Sequence, residues 1–379
     1  MLQLDVDDLP LTGRTVPIAG RELVSFASCS YLGLELDPRV IAGAVRAARR
    51  YGTAFSASRS YLSAPPYRKL EGLTEEIFGG PVWLATTTTL AHLSFFDVAI
   101  QPGDVILLDR QVHNSVQLTA RTVADRARVV TVAHNDVERL TQTVAKLLAQ
   151  PATRHVWYCG DGVYSMFGDV APVAQLAALL EREERFHCYL DDAHGTSTQG
   201  LHGRGYVLSE LDRLPERMVL AVSFAKGFGM GGGALLRLPS DRWRDVLRSC
   251  GPTAMFSGPL APPVLGAGVA AARIHLSRPF PGLLAELHER IAFFRDTAHR
   301  RGLELLSSPR SPVQYLRLGA FEITLGAAEK LMAEGFLACP SAYPAVGLRD
   351  AGLRFTITRH QRLEDLAAVL EVVAAYISS

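Results

Sequence analysis

Met218-Val-Leu-Ala-Val-Ser-Phe-Ala-Lys226-Gly-Phe-Gly-Met-Gly-Gly-Gly233-Ala-Leu-Leu-Arg-Leu-Pro239 is the stretch on which the fold reading turns. An apolar run, Met218–Val222, leads into a glycine-rich turn that carries Lys226, and a second apolar run, Gly233–Leu236, follows. Gly227, Gly229 and Gly232 have the Gly-x-Gly-x-x-Gly spacing of a dinucleotide fingerprint. That fingerprint opens a helix, whereas here a strand and then a turn come next, so the context rejects it. What remains is a lysine at the mouth of a sheet. If buried, its pKa falls by desolvation and its amine is available for imine formation with an aldehyde cofactor. A solvated loop lysine is the alternative, and Lys226 taken alone favours that one.

Working outward, apolar runs of strand length alternate with helical patterns over the first two-thirds of the chain, which implies a parallel α/β sheet. The predicted strands are Val82–Ala85, Val105–Leu108, Val129–Val132, His155–Cys159, His187–Leu190, Met218–Val222 and Gly233–Leu236. Residues with functional groups cluster after their C-terminal ends, where an open α/β sheet places its ligands. Residues 1–45 are expected to form an N-terminal arm and 46–260 the large domain. Residues 261–379 are expected to hold a linker helix and a small α+β domain, with strands Val313–Leu316 and Leu353–Ile357 and helices Ala327–Glu334 and Leu363–Tyr376.

Cys188-Tyr-Leu-Asp-Asp-Ala-His194 ends a predicted strand in two carboxylates and a histidine. A buried Asp191 can pair with a protonated pyridine nitrogen and keep that ring cationic, with His194 on the ring phenolate. A metal cluster, or a helix cap by Asp192 with a structural histidine, are the competing readings. Trp83-Leu-Ala-Thr-Thr-Thr-Thr-Leu-Ala-His92 is a strand-to-helix junction whose hydroxyls, Thr87, Thr88 and Thr89 among them, suit a phosphate at a helix start. Capping explains one threonine, not four. His113 follows another strand and can stack on an aromatic ring or serve structure alone.

The chain has 379 residues, 48% of them hydrophobic, enough for about two or three domains. Its 39 Lys plus Arg nearly cancel 38 Asp plus Glu, so no overall field draws nucleic acid or an anionic membrane. Five dispersed cysteines without Cys-x-x-Cys spacing argue against a disulfide framework or a zinc site and suit a reducing compartment. Met1-Leu-Gln-Leu-Asp-Val-Asp-Asp lacks the features of a signal peptide, and no apolar span has membrane length. The expectation is a soluble, cytoplasmic protein without a metal.

Taken in order, the motifs resemble the α-oxoamine synthase family of fold-type I enzymes that use pyridoxal 5'-phosphate (PLP), over about Ser30 to His360. They are Tyr31-Leu-Gly-Leu, Asp109-x-x-x-His113-x-Ser115, His134-Asn-Asp, Gly162-Val-Tyr-Ser-Met-Phe-Gly-Asp-Val-Ala-Pro, Asp191-Asp-Ala-His194 and Lys226-x-x-Gly229-x-x-Gly232-Gly233. The resemblance implies a PLP-binding α/β domain, mostly parallel, with a smaller C-terminal α+β domain. It implies an acyltransferase that condenses an amino acid with an acyl thioester, on CoA or an acyl-carrier protein, and releases carbon dioxide to give an α-aminoketone. It also implies a homodimer with the site at the subunit interface. Lys226 would carry the cofactor and transfer protons, Asp191 hold the pyridine nitrogen, and His113 stack. His194 and Ser165 would reach the ring hydroxyl, Ser223 the phosphate, and Arg354, with Ser30 and Arg59, the substrate.

The departures bear on substrate. Ser30 replaces an asparagine, Thr87-Thr88-Thr89 the Ser-Gly-aromatic turn, Tyr67 a histidine, Ala225 a serine, and Gly258 a threonine that reaches phosphate across the dimer. Ser223-x-Ala-Lys and Ser56-Ala-Ser are closer to the α-hydroxyketone autoinducer synthases, a divergent branch. Altered PLP chemistry, such as decarboxylation or transamination, and a non-catalytic binding subunit are the alternative functions.

Overall fold

The computed structural model describes residues 4–378, so the first three residues of the expected arm and the last of the small domain lie outside it. In chain order the strands are β1 (Thr15–Ile18), β2 (Arg21–Ser25), β3 (Val82–Ala85), β4 (Val105–Asp109), β5 (Arg128–Val132), β6 (Val156–Asp161), β7 (Phe186–Asp191), β8 (Met218–Ser223), β9 (Ala234–Arg237), β10 (Val313–Gly319), β11 (Phe336–Leu337), β12 (Cys339–Ser341) and β13 (Ala351–Thr356). Two compact units share them. The larger holds Asp37–Tyr164 and Val170–Ser277; the smaller holds the segment ending at Leu36, Ser165–Asp169 and the segment from Arg278 onward.

The larger unit is built on one seven-stranded sheet, ordered β3-β9-β8-β7-β6-β4-β5. Strands β4, β6 and β8 are buried along their whole length, which is why they read as continuous apolar runs rather than alternating ones. The sheet is mostly parallel, as expected, with one exception: β9 runs antiparallel to both β8 and β3. The glycine-rich turn that joins β8 to β9 is too short for a crossover helix, so the chain can only double back. The other neighbours pair in parallel. Their register brings Asp109, Asp161, Asp191 and Ser223 to one edge of the sheet. The helices Thr88–Ala99 and Asn114–Arg121 begin at that edge.

Tyr189 anchors the core beneath this edge. Phe95 stacks on it at 5.1 Å between centroids, and Phe96 meets it edge-on at 5.1 Å. The domain boundaries expected at 45 and 260 also differ from the units. The helix Pro38–Tyr51 lies against the helix Pro262–His275 inside the larger unit. A side-chain carbon on Gly43 would stand 2.5 Å from the Gly266 carbonyl oxygen, and one on Gly266 would stand 2.4 Å from that of Gly43. Glycine at both positions lets the backbones touch.

In the smaller unit, β10, β13 and β12 form an antiparallel sheet, and β1, β2 and β11 form a mixed one in which β1 runs antiparallel and β11 parallel to β2. Ala19 and Gly20 both have positive φ, the two-residue turn that closes a β-hairpin between β1 and β2. The helices Phe280–Arg300, Phe321–Ala333 and Leu363–Ile377 complete this unit. The interruption near Pro279 and Pro281 falls between the last helix of the larger unit and the first long helix of the smaller.

Candidate active site

Asp191 is the last residue of β7 and is 4% exposed. Its Oδ1 accepts the Ala193 N–H at 3.0 Å. Its Oδ2 faces His92 Nε2 at 3.2 Å, within ion-pair range though off the line of a hydrogen bond. The other nitrogen, His92 Nδ1, pairs with the Tyr189 hydroxyl at 2.6 Å. Burial alone would raise the Asp191 pKa. His92 overrides it, Lys226 and His113 add to the pull, and the carboxyl is held down at about 2. Sequence reading missed His92. Its position one turn into the helix that follows the threonine run was the available signal.

Asp161 ends β6 and pairs in register with Asp191. Its Oδ1 accepts the His113 backbone N–H at 3.0 Å. His113 is the N-cap of the helix Asn114–Arg121, and its Nδ1 lies 2.7 Å from Ser115 Oγ. The residue is exposed. The protein packed around it lowers its pKa by desolvation, against the pull of Asp191 and with help from Lys226 and His92. Asp109, at the end of β4, gathers the next layer: His134 Nδ1 at 2.7 Å and the Tyr158 hydroxyl at 3.1 Å.

Lys226 is half-buried in the turn after β8, where its carbonyl accepts the Gly229 N–H at 3.0 Å. Gly229 has φ +79°, a conformation that closes the turn and favours glycine. The Lys226 charge acts on Asp191, His113 and Asp161, so three predicted residues, Lys226, Asp191 and His113, are brought to one edge. Ser223, at the end of β8, is buried beside them in sequence and sheet. His194 is buried three residues beyond Asp191. Asp192 is not the N-cap residue of a helix that follows it in the chain; its Oδ2 accepts the Val207 N–H, in the first turn of the helix Tyr206–Ser209, at 3.1 Å.

Thr87 Oγ1 accepts the Leu90 N–H at 3.2 Å and so caps the helix Thr88–Ala99, while Thr88 and Thr89 form its first turn. Thr86 donates to the Gly258 carbonyl at 2.9 Å. A cavity of about 750 Å³ opens here, lined by Arg59, Tyr67, Glu71, Thr86, Arg248 and Thr253 among others. The Arg59 guanidinium sits 4.1 Å over the Tyr67 ring and donates to Glu71 Oε1 at 2.6 Å. Burial pushes the Tyr67 hydroxyl up to about 12. Among the described residues, no group of three or more His, Cys, Asp or Glu side chains is arranged to hold a metal ion.

The smaller unit holds the remaining predicted residues. Arg354 lies on β13; its Nε donates to the Ser165 carbonyl at 2.7 Å, and Nη2 is 3.9 Å from Cys29 Sγ. Cys339 is its register partner on β12. Burial works against the Arg354 charge, but Tyr31 and the two cysteines favour it and keep the guanidinium cationic. Ser30 lies next to Cys29, its N–H bonded to Ser28 Oγ at 3.1 Å.

The aminotransferase class I and II family matches residues 21–370. The 8-amino-7-oxononanoate synthase of Geobacter metallireducens is 30% identical over 368 residues, covering 96% of this chain and 91% of that protein. That of Salmonella paratyphi C is 31% identical over 369 residues, covering 95% and 91%. Among solved structures, Sphingomonas wittichii serine palmitoyltransferase superposes with a TM-score of 0.88 at 23% identity, over 98% of this chain and 91% of that one. The 8-amino-7-oxononanoate synthase of Francisella tularensis gives 0.76 at 19% identity, over 94% and 98%. At such identities the structures speak for the fold. Family match, relatives and the ordered motifs agree, and the chain belongs to the aminotransferase class I and II family and, within it, to the α-oxoamine synthases.

Proposed function

We propose that this protein is a PLP-dependent acyltransferase that condenses an amino acid with an acyl thioester, with loss of carbon dioxide, to give an α-aminoketone. The observation that carries the reading is Asp191: a buried strand-end carboxyl kept ionised by His92, under the influence of Lys226 and His113. A buried carboxylate without a cation is costly, so the arrangement suits a protonated ring nitrogen. Donors for a phosphate stand at the same edge, where Thr88 and Thr89 open a helix and Ser223 ends β8.

PLP, when bound, supplies an aldehyde that condenses with amines and a ring that accepts the electron pair left at the amino acid Cα. The protein supplies the rest. Lys226 Nζ would hold the cofactor, and its amine when free would take the Cα proton and later return one. Asp191 would keep the ring nitrogen protonated, and the exposed His113 imidazole would pack on the ring. His194 and Ser165 orient the ring hydroxyl, and Thr87 contributes through the helix start that it caps. Arg354 pairs with the substrate carboxylate, with Ser30 beside it. Arg59 holds its place in the cavity wall for the acyl donor. In the reaction a bond forms between Cα and the thioester carbonyl carbon; the thiol leaves first, then carbon dioxide.

The reading extends to a homodimer in the cytoplasm, supported by Ile41, Val45 and Phe256, which expose apolar surface on the larger unit, Phe256 at 85%. Among the described residues, no helix is long and apolar enough to cross a membrane. The deciding experiment loads the purified protein with PLP, reduces it with borohydride and maps the added mass. The Lys226 peptide is expected to carry it. A panel of amino acids with acyl-CoA or acyl-carrier protein should then release thiol and carbon dioxide together. Carbon dioxide without thiol would mark a decarboxylase instead, and turnover retained in Lys226→Ala would refute the assignment.

A further inference from the structure

Asp161 and Asp191 stand side by side at the ends of parallel neighbours β6 and β7. Both are buried, and each accepts a backbone N–H at 3.0 Å, Asp191 Oδ1 that of Ala193 next to it and Asp161 Oδ1 that of His113 on a different loop; Asp191 also faces the His92 imidazole. His113 is tied at its other end too, because its ring nitrogen lies 2.7 Å from Ser115 Oγ in the cap of the helix Asn114–Arg121.

We propose that Asp161 is a positioning residue of this site: its carboxyl oxygen pins the turn that begins the helix Asn114–Arg121 and so sets where the His113 imidazole stands. The inference rests on the reading of His113 as the ring that packs on PLP. Without Asp161 the His113 N–H loses its acceptor, and a backbone donor aimed at the buried Asp161 position and left unpaired there favours a shift of the turn. A three-residue backbone shift would swing the imidazole while leaving the strands intact.

The neighbouring carboxylate fixes the form in which Asp161 does this. Two carboxyls this close in a dry site do not both ionise. Burial and the charge of Asp191 push Asp161 up, the His113 N–H and Lys226 oppose, and Asp109 adds to the rise. Asp191, with His92, is the better placed of the two for the negative charge, and Asp161 is the one pushed toward holding a proton. An amide in place of Asp161 keeps the acceptor for the His113 N–H without a carboxyl's charge.

Asp161→Asn and Asp161→Ala separate these roles. In the protein without PLP, the Ala variant is expected to shift the His113 imidazole NMR resonances, and on titration with PLP to weaken binding about tenfold. The Asn variant should restore the parent resonances and most of the affinity. In the loaded enzyme Asp161→Ala should lower kcat more than it raises KM for the amino acid. In a His113→Ala background it should cost no more than about a further twofold, because the two residues act as one unit. An Asn variant as damaged as the Ala variant, or full additivity with His113→Ala, overturns the inference. Should the Ala variant fail to fold by circular dichroism, the Asn variant decides alone: an altered pH profile of the cofactor spectrum would mean that Asp161 carries charge. Failure of the parent to carry PLP on Lys226 would remove the functional reading, and the His113 resonances would still test the positioning.

Discussion

The two edges of the seven-stranded sheet carry the same kinds of side chain under different conditions. At the C-terminal edge, Asp191 faces His92 at 3.2 Å and Asp161 holds the His113 N–H at 3.0 Å. At the N-terminal edge, His155 Nδ1 lies 3.3 Å from Asp104 Oδ1, and His187 stacks on Trp157 with centroids 4.3 Å apart. There burial, with the nearby His155, Arg217 and Arg154, pushes His187 down to about 3, so its ring packs as an uncharged aromatic. The difference lies in what converges. Two helices begin at the C-terminal edge and Lys226 enters it, so a negative charge is worth keeping there. The opposite edge gathers cations around neutral rings and has no use for charge on them.

The strongest way to break this contrast is to remove its charge. Asp191→Ala and Lys226→Ala are each expected to lower kcat/KM by about 10³- to 10⁴-fold in steady-state assays; a loss below about tenfold would place the chemistry elsewhere. Next comes the support behind Asp191. Removing a charge-assisted partner costs roughly 1.5–3 kcal/mol, so His92→Leu should cut kcat about 10- to 100-fold. The same variant should shift the pH dependence of the cofactor spectrum, which a packing role alone would leave in place.

Acid stability probes the histidines whose pKa burial lowers. His275 is buried, with its Nδ1 2.8 Å from the Ala271 carbonyl and its ring stacked on Phe228, and burial pushes it down to about 4. His275 and His187 thus have folded pKa values below the ordinary 6.5. Between 6.5 and those values the unfolded chain binds protons that the folded one refuses, so stability falls as pH falls, by up to about 1.4 kcal/mol per pH unit for each histidine. Thermal unfolding from neutral pH to pH 5 should show Tm falling, and His187→Phe should flatten the slope. The smallest effect belongs to that same variant at neutral pH: kcat within about threefold of the parent and stability changed by less than about 1.5 kcal/mol. A large loss of activity there would mean that the two edges are not separate in function.

Within the seven-stranded sheet strand placement was readable to within a residue or two, because β3, β4, β6 and β8 are buried on both faces and bounded by turn residues, whereas the short β1, β2, β11 and β12 were not expected. The direction of β9 was not, since an apolar tetrapeptide reads the same both ways and only the short turn after Lys226 forces the reversal. The contact between the helices Pro38–Tyr51 and Pro262–His275 was not readable, because two glycines 223 positions apart, Gly43 and Gly266, signal nothing until their backbones meet. Of the site, Lys226, Asp191 and His113 were legible, each standing just after an apolar run. His92 and Asp161 were not. His92 meets Tyr189 across 97 residues, and a histidine inside a helix carries no local mark of what it faces.

By itself the sequence determined which residues end strands and which turn carries the lysine, because apolar runs and glycine spacing are local and follow from burial and backbone freedom. The order of the strands was left to the tertiary structure. Setting β6 beside β7 made neighbours of Asp161 and Asp191, and packing the helix Thr88–Ala99 on that sheet put His92 against one of them. Whether each carboxyl holds a charge or a proton follows from those neighbours, since in a buried site the free energy of a charge is set by what surrounds it.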